Sequence, residues 1–189
     1  KPLGFVYMKY YKLTTRKMKT FLLNPKQIGV LLLFPCAQIL PAQLPSVDIY
    51  TWEGHHIDAS MINKDSMPMV VVFFKTYEQK CCQQLISICE KKEEEFSDQG
   101  VKVIGICLDC LGQIAYIKPF VSGHELDIDV YIDKNGDLKR SLGINILPYT
   151  ILYDQHHKVI CKYAGFCISS DEMLADKLNQ CLNKMANSK

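Results

Sequence analysis

Val70-Val71-Val72-Phe73-Phe74-Lys75-Thr76-Tyr77-Glu78-Gln79-Lys80-Cys81-Cys82-Gln83-Gln84-Leu85-Ile86-Ser87-Ile88-Cys89 is the stretch whose reading decides the fold of this chain. Residues 70–74 are apolar at every position, too apolar for a half-exposed strand, and read as a central strand buried on both faces. The strand breaks into a short polar turn. A helical pattern then runs from about Glu78 to about Ser97, with Cys82, Leu85, Ile86, Cys89 and Phe96 on one face and Lys91 to Glu95 mostly on the solvated side. Strand, tight turn and helix start put cysteines into the first turn of a helix, where amide dipoles favour the thiolate. That is the geometry of thiol–disulfide chemistry.

Outward from this unit, Gly100 closes the helix region, and Val101 to Asp109 is a second buried strand. Strand, helix and strand imply parallel pairing through a right-handed crossover. Residues 112–122 are weakly helical, with Pro119 expected to kink or shorten the helix. Ile128 to Ile132 alternates like a short strand. Asp133-Lys134-Asn135-Gly136-Asp137 is a turn; it lacks the closing acid of a calcium loop. Leu138 to Leu142 is a short helix closed by Gly143. Ile146 to Asp154 is a strand with Pro148 near its start, followed by a turn at Gln155 to His157 and a return strand over Lys158 to Tyr163. Ser169 and Glu172 form a capping box for a last helix, whose apolar face is Leu174, Leu178, Cys181, Leu182 and Met185. Upstream, residues 47–62 read as a β-hairpin turning at Glu53-Gly54. Adjacent histidines on a strand point to opposite faces, so His55 and His56 make a poor chelating pair; His156 and His157 are read as solvated turn residues.

The 189 residues suffice for one domain with a proper core plus an extension. The formal charge of +2 hides an asymmetry. The first 47 residues hold no Asp or Glu but carry Lys1, Lys9, Lys12, Arg16, Lys17, Lys19 and Lys26. From Gln43 onward, 15 basic residues face 20 acidic ones, a mildly acidic balance that argues against a nucleic-acid groove. Ile28 to Leu40 is a short, interrupted apolar run after a basic flank, and Leu40-Pro41-Ala42 follows it. This predicts residues 1–42 to be a secretory signal cleaved after Ala42, with Met18 as an alternative start, or else an uncleaved N-terminal anchor. Residues 43–189 are then the folded domain, expected in the periplasm or otherwise exported. Any membrane contact would come only through that anchor. No cofactor and no metal are expected.

The Val70–Leu85 phrase and the Leu142-Gly143-Ile144-Asn145-Ile146-Leu147-Pro148-Tyr149-Thr150-Ile151-Leu152-Tyr153-Asp154 segment together resemble the thioredoxin fold. More narrowly, they resemble the TlpA-like exported thiol–disulfide oxidoreductases, redoxins of the AhpC/TSA-like kind. The likeness covers most of residues 44–187. Members carry a phrase of the type F-W-A-T-W-C-x-x-C-x-x-E-[LM]; here it is Phe73-Phe74-Lys75-Thr76-Tyr77-Glu78-Gln79-Lys80-Cys81-Cys82-Gln83-Gln84-Leu85, without a gap. The resemblance implies an α/β, three-layer α/β/α sandwich with a mixed central sheet and an N-terminal β-hairpin. It also implies that Pro148 is the cis-proline facing the redox motif. Leu147, Pro148 and Tyr77 would then line the site for protein thiols or extended peptide segments.

The departure lies at Glu78. In this alignment it takes the place of the attacking cysteine and Cys81 that of the resolving one; sliding the frame by one residue pairs Gln79 with Cys82 instead, and neither frame produces a C-x-x-C. Cys82 sits on the core-facing stripe and is expected to pack, whereas Cys81, nearer the helix start, is expected to be partly exposed. Cys107-Leu108-Asp109-Cys110 is the one C-x-x-C of the chain. It ends a parallel strand, on the edge where α/β proteins place their sites. Cys81, Cys107 and Cys110 are therefore the candidate redox residues, through a relocated Cys107–Cys110 pair or a Cys81 bridge to one of them. A zinc site from these and Cys82 ranks lower. Cys161 and Cys167 could close a small loop disulfide. Two functions stay open: residual or rerouted thiol–disulfide exchange, or a non-catalytic module that binds an extended peptide or partner protein.

Overall fold

A computed structural model of the chain describes residues 44–63, 65, 67–109, 115–166 and 170–186. The expected leader at 1–42, Cys110, Cys167 and the capping residue Ser169 lie outside the described residues, as do the side chains of Cys181 and Met185.

The sheet grows around β3 (Met69–Phe74), all six of whose residues are buried. Val70, Val72 and Phe74 point into one core, with Leu85, Ile88 and Phe96 of α1 (Gln79–Phe96) and Leu174 and Leu178 of α4 (Ser170–Ala186). Met69, Val71 and Phe73 point into a second core on the opposite face, with Ile49, Ala59 and Leu138. Two-residue periodicity thus splits one apolar strand between two helical layers, which is why no polar residue is tolerated in it.

Seven strands form one mixed sheet in the order β2-β1-β5-β4-β3-β6-β7. The hairpin β1 (Asp48–Thr51) and β2 (His56–Asp58) sits at one edge, and a 3₁₀ turn at Ala59–Met61 follows it. β4 (Lys102–Cys107) and β5 (Asp129–Ile132) run parallel to β3, while β6 (Tyr149–Tyr153) and β7 (Val159–Ala164) close the other edge antiparallel. The short helices α2 (Ile117–Gly123) and α3 (Asp137–Ser141) complete the two layers. This is the α/β sandwich with mixed sheet and N-terminal hairpin that the resemblance implies.

Two local features set up the site. Phe74 at the end of β3 lies across Gly105 of β4, where an added Cβ would come within 2.9 Å of its ring. Phe74 also pairs with Cys107 in register, so β3 and β4 end together at one edge. Pro119 falls in the first turn of the short α2, where a missing N–H leaves no helix bond unmade, and the helix runs from Ile117 to Gly123.

Candidate functional site

The site is built where β3 turns into α1. Beyond Phe74 the chain folds back at Lys75–Glu78, with the Glu78 amide donating to the Lys75 carbonyl at 3.3 Å. Glu78 is the N-cap of α1: its carbonyl accepts the amides of Cys81 (2.9 Å) and Cys82 (3.1 Å), yet its side chain makes no cap hydrogen bond. The carboxylate instead turns back to Lys75, 3.3 Å away, and accepts the Cys81 thiol proton at 3.4 Å. The Lys75 ammonium lies 5.3 Å from the centre of the Tyr77 ring. Contact with Tyr77 first and with Glu78 after it keeps Lys75 protonated above its ordinary range. Tyr77 itself is 55% exposed.

From below, Asp109 holds the turn. Its carboxylate, 1% exposed, accepts the Thr76 amide at 3.1 Å and 3.3 Å and the Thr76 hydroxyl as well. The Leu108 amide donates to the Phe74 carbonyl at 3.0 Å, so the strand pairing continues one residue past β3 and delivers Asp109 opposite Thr76. A buried carboxylate needs such donors, because an unpaired one is strongly disfavoured in an apolar setting.

The cysteines are arranged differently from the sequence-based expectation. Cys81 is 0% exposed and belongs to the core of α1, while Cys82 is half-buried. The reason is the phase of the helix. Counting from Gln79, residues 81, 85, 88 and 89 share the buried stripe, and residue 82 swings to its edge. There the Cys82 sulfur faces the carbonyls of Thr76 (3.2 Å) and Lys75 (3.6 Å). Burial pushes the Cys81 thiol up to about 12, with Glu78 adding to the effect. Burial, then the charge of Asp109, raises Cys82. Burial likewise raises Cys107, which is fully enclosed at the end of β4. Cys89 is pushed up to about 12 and Cys161 is raised as well. All five cysteines with described side chains are free thiols. Among the described residues, then, no cysteine combines exposure with a lowered pKa, the two requirements of an attacking thiol. Cys110, the other half of the C-x-x-C, lies outside the described residues, and so does Cys167, the proposed partner of Cys161.

Across the edge, β6 runs antiparallel to β3 with Tyr149 opposite Phe73. Leu147 and Pro148, just before β6, therefore reach the same end of the sheet as Tyr77, just after β3. The Leu147–Pro148 peptide bond is cis, and the Pro148 carbonyl accepts the Gly165 amide at 2.8 Å. Neither backbone group of Leu147 has a hydrogen-bond partner among the described residues, and the neighbouring Ile146 is 58% exposed. Among the described residues no three His, Cys, Asp or Glu side chains converge as metal ligands. Lys75, Thr76 and Asp109 carried no assigned role in the sequence. The available signal was register: Thr76 and Asp109 each stand two residues past a paired strand end.

The profile of the AhpC/TSA family matches residues 40–167. The chain belongs to the AhpC/TSA family. It is 27% identical over 106 residues to the thiol-disulfide oxidoreductase ResA of Bacillus thuringiensis subsp. konkukian, an overlap of 56% of this chain and 57% of that protein. The chain thus spans little more than half the length of the curated relatives it matches. Among solved structures, an uncharacterized thioredoxin-like protein from Porphyromonas gingivalis superposes with a TM-score of 0.68 at 25% identity, covering 76% of this chain and 94% of that one. StoA from Bacillus subtilis superposes with a TM-score of 0.52 at 19% identity, over 70% of this chain and 98% of its own, a likeness of fold. A thioredoxin-like fold related to thiol–disulfide oxidoreductases is thereby established for this member of the family.

Proposed function

We propose that this protein is an exported, cell-envelope member of its family, with residues 1–42 as signal peptide or N-terminal anchor and residues 43–189 as the working domain. In this reading it holds an extended segment of a partner protein, without exchanging disulfides through the start of α1. The observation that carries the reading is Glu78, a carboxylate at the helix N-cap where the resembled family puts its attacking cysteine, with Cys81 behind it buried and protonated. A carboxylate occupies the electropositive helix end but forms no disulfide. The surface around it keeps the features that suit a peptide. Tyr77 and Ile146 offer exposed apolar area, and the backbone of Leu147 offers a donor and an acceptor to an added strand. Protein thiols are the partner class suggested by the name of the ResA relatives.

The test uses S-carboxymethylated insulin B chain as an extended, unreactive probe, followed by amide chemical shifts of the isotope-labelled protein. Shifts clustered at Tyr77, Ile146 and Leu147, weakened in Tyr77→Ala, are the expected result. Shifts absent at saturating probe, or scattered over α4 and β7, would overturn docking at this edge.

A further inference from the structure

Thr76 is pinned from below, its amide and hydroxyl both given to the buried carboxylate of Asp109. The residues on either side of it, Lys75 and Tyr77, meet on the outside of the turn, with the ammonium 5.3 Å from the centre of the exposed ring. The same ammonium lies 3.3 Å from one oxygen of Glu78, whose other oxygen accepts from the Cys81 thiol at 3.4 Å. In the phrase F-W-A-T-W-C, alanine and cysteine stand at the places of Lys75 and Glu78, so the two charged departures of this chain pair with each other. An exposed aromatic ring draws a Lys or Arg of a ligand onto its face. Here the chain's own cation is already at the ring. An ammonium has three donors and no acceptor. Glu78 and Tyr77 face it, and 27% of the Lys75 side chain stays open. Glu78 spends one oxygen on Lys75 and the other on Cys81, while Lys80 is exposed in the first turn of α1. The turn thus offers a partner an open donor beside a ring, next to a carboxylate that is already engaged.

We propose that Lys75 is the specificity-determining residue of the docking edge, and that the partner segment carries Asp or Glu, in place of Lys or Arg, at the residue that packs on Tyr77. The inference rests on the docking reading given above and names the chemistry of the segment. A carboxylate at that place takes the open donor of Lys75 while the aliphatic part of its side chain lies against the ring. A Lys or Arg there meets the charge of Lys75 at short range and finds the cation place of the ring filled. An apolar residue gains the ring contact alone.

The experiment titrates the isotope-labelled protein with acetylated, amidated strand peptides of sequence Ser-Thr-Val-Thr-Xaa-Thr-Val-Thr-Ser, in which Xaa is Glu, Leu or Lys. Affinities are read from the amide shifts at Tyr77, Ile146 and Leu147. The Glu peptide should bind tightest and the Lys peptide weakest, about tenfold apart, because one exposed attraction replaces one repulsion. High salt should narrow the gap. Lys75→Met keeps the stem and removes the charge; the order of the Glu and Lys peptides should then vanish or reverse, since Glu78 is left without its cation. Lys75→Arg should restore it, which a merely structural role for the side chain would not require. Equal affinity for the three peptides, with shifts still at this edge, overturns the charge selection and leaves docking standing. An order that survives in Lys75→Met does the same. Shifts absent with all three peptides at their highest soluble concentration overturn docking itself, and this inference with it.

Discussion

The turn from β3 into α1 and the turn from β5 into α3 follow the two parallel strands that flank β4 and end at the same edge of the sheet, yet a carboxylate closes one helix start and not the other. In the second, the buried Asp133 carboxylate reaches the start of α3 and accepts the amides of Leu138 (3.3 Å) and Lys139 (2.8 Å). Gly136, in the left-handed region at φ 70°, lets the chain bend tightly enough for that reach. In the first turn, Glu78 stands at the N-cap of a much longer helix and turns its carboxylate away, toward Lys75 and Cys81. The free amides and the dipole of an 18-residue helix are left without a side-chain cap. A helix start closed by a buried carboxylate is a structural element. One without a side-chain cap, beside an exposed tyrosine, is where the proposed partner segment would sit.

The sharpest way to break this contrast is Glu78→Cys. A thiol there would sit three residues before Cys81 at the uncapped end of α1, where it should ionise below the usual cysteine range. The variant should gain insulin-reductase activity orders of magnitude above the parent, with an iodoacetamide rate that is already high at pH 7. An inactive variant, folded by circular dichroism, would show that the turn is not built for exchange chemistry.

Stability should separate the two turns next. Asp133→Ala removes a cap and strands two amides, which is expected to lower stability by about 2–3 kcal/mol. That corresponds to a loss of roughly 5–10 °C in Tm for a domain of this size. Denaturation of Glu78→Ala in parallel is the comparison; an equal loss there would erase the distinction drawn between the turns. Gly105→Ala should fall between them, at about 1–2 kcal/mol, because the new methyl group meets the Phe74 ring at 2.9 Å and the ring must shift.

Alkaline pH probes the buried stripe of α1 in place of its open end. Cys81 and Cys89 are held at about 12 in the folded state against an ordinary 9.0. Above about pH 9 the unfolded chain releases these protons and the folded one does not, so stability is full below that pH and falls as pH rises toward 12. Urea midpoints measured at pH 7.5 and pH 10.5 should decline, and less so in Cys81→Ala. An unchanged slope would mean the thiols are not enclosed. The smallest effect belongs to Glu78→Gln. Its ion pair with Lys75 involves a glutamate side chain that is 40% exposed, so the change in stability should stay within about 0.5 kcal/mol by thermal melting.

Much of this molecule was legible along the chain. The unbroken apolar run of β3 could only be a strand covered on both sides, and its passage into a helical period set the β-α-β core. The Glu53-Gly54 turn and the hairpin after Pro148 were equally local, since their turn chemistry acts over a few residues. The motif phrase also drew attention to the turn at Glu78, on which the proposed function rests. The assignment of Cys81 and Cys82 failed because adjacent helical residues differ by one third of a turn. A shift of one residue in the helix start decides which thiol enters the core, and no pattern in the sequence specifies that start so finely.

The sequence by itself determined the order of strands and helices, the burial of β3 on both faces, and the presence of a carboxylate at residue 78, at the head of α1. These follow from periodicity and from residue identity, which neighbours along the chain already contain. Only the tertiary structure decided that Cys81 is enclosed and Cys82 reachable, that Asp109 holds Thr76 from the next strand, and that the backbone of Leu147 opens beside Tyr77. The last two join residues more than thirty positions apart through strand register, which is set by the packing of whole faces, and the first is set by the phase of α1 against the core. The open turn at Glu78 is therefore a feature the sequence names and the sheet completes.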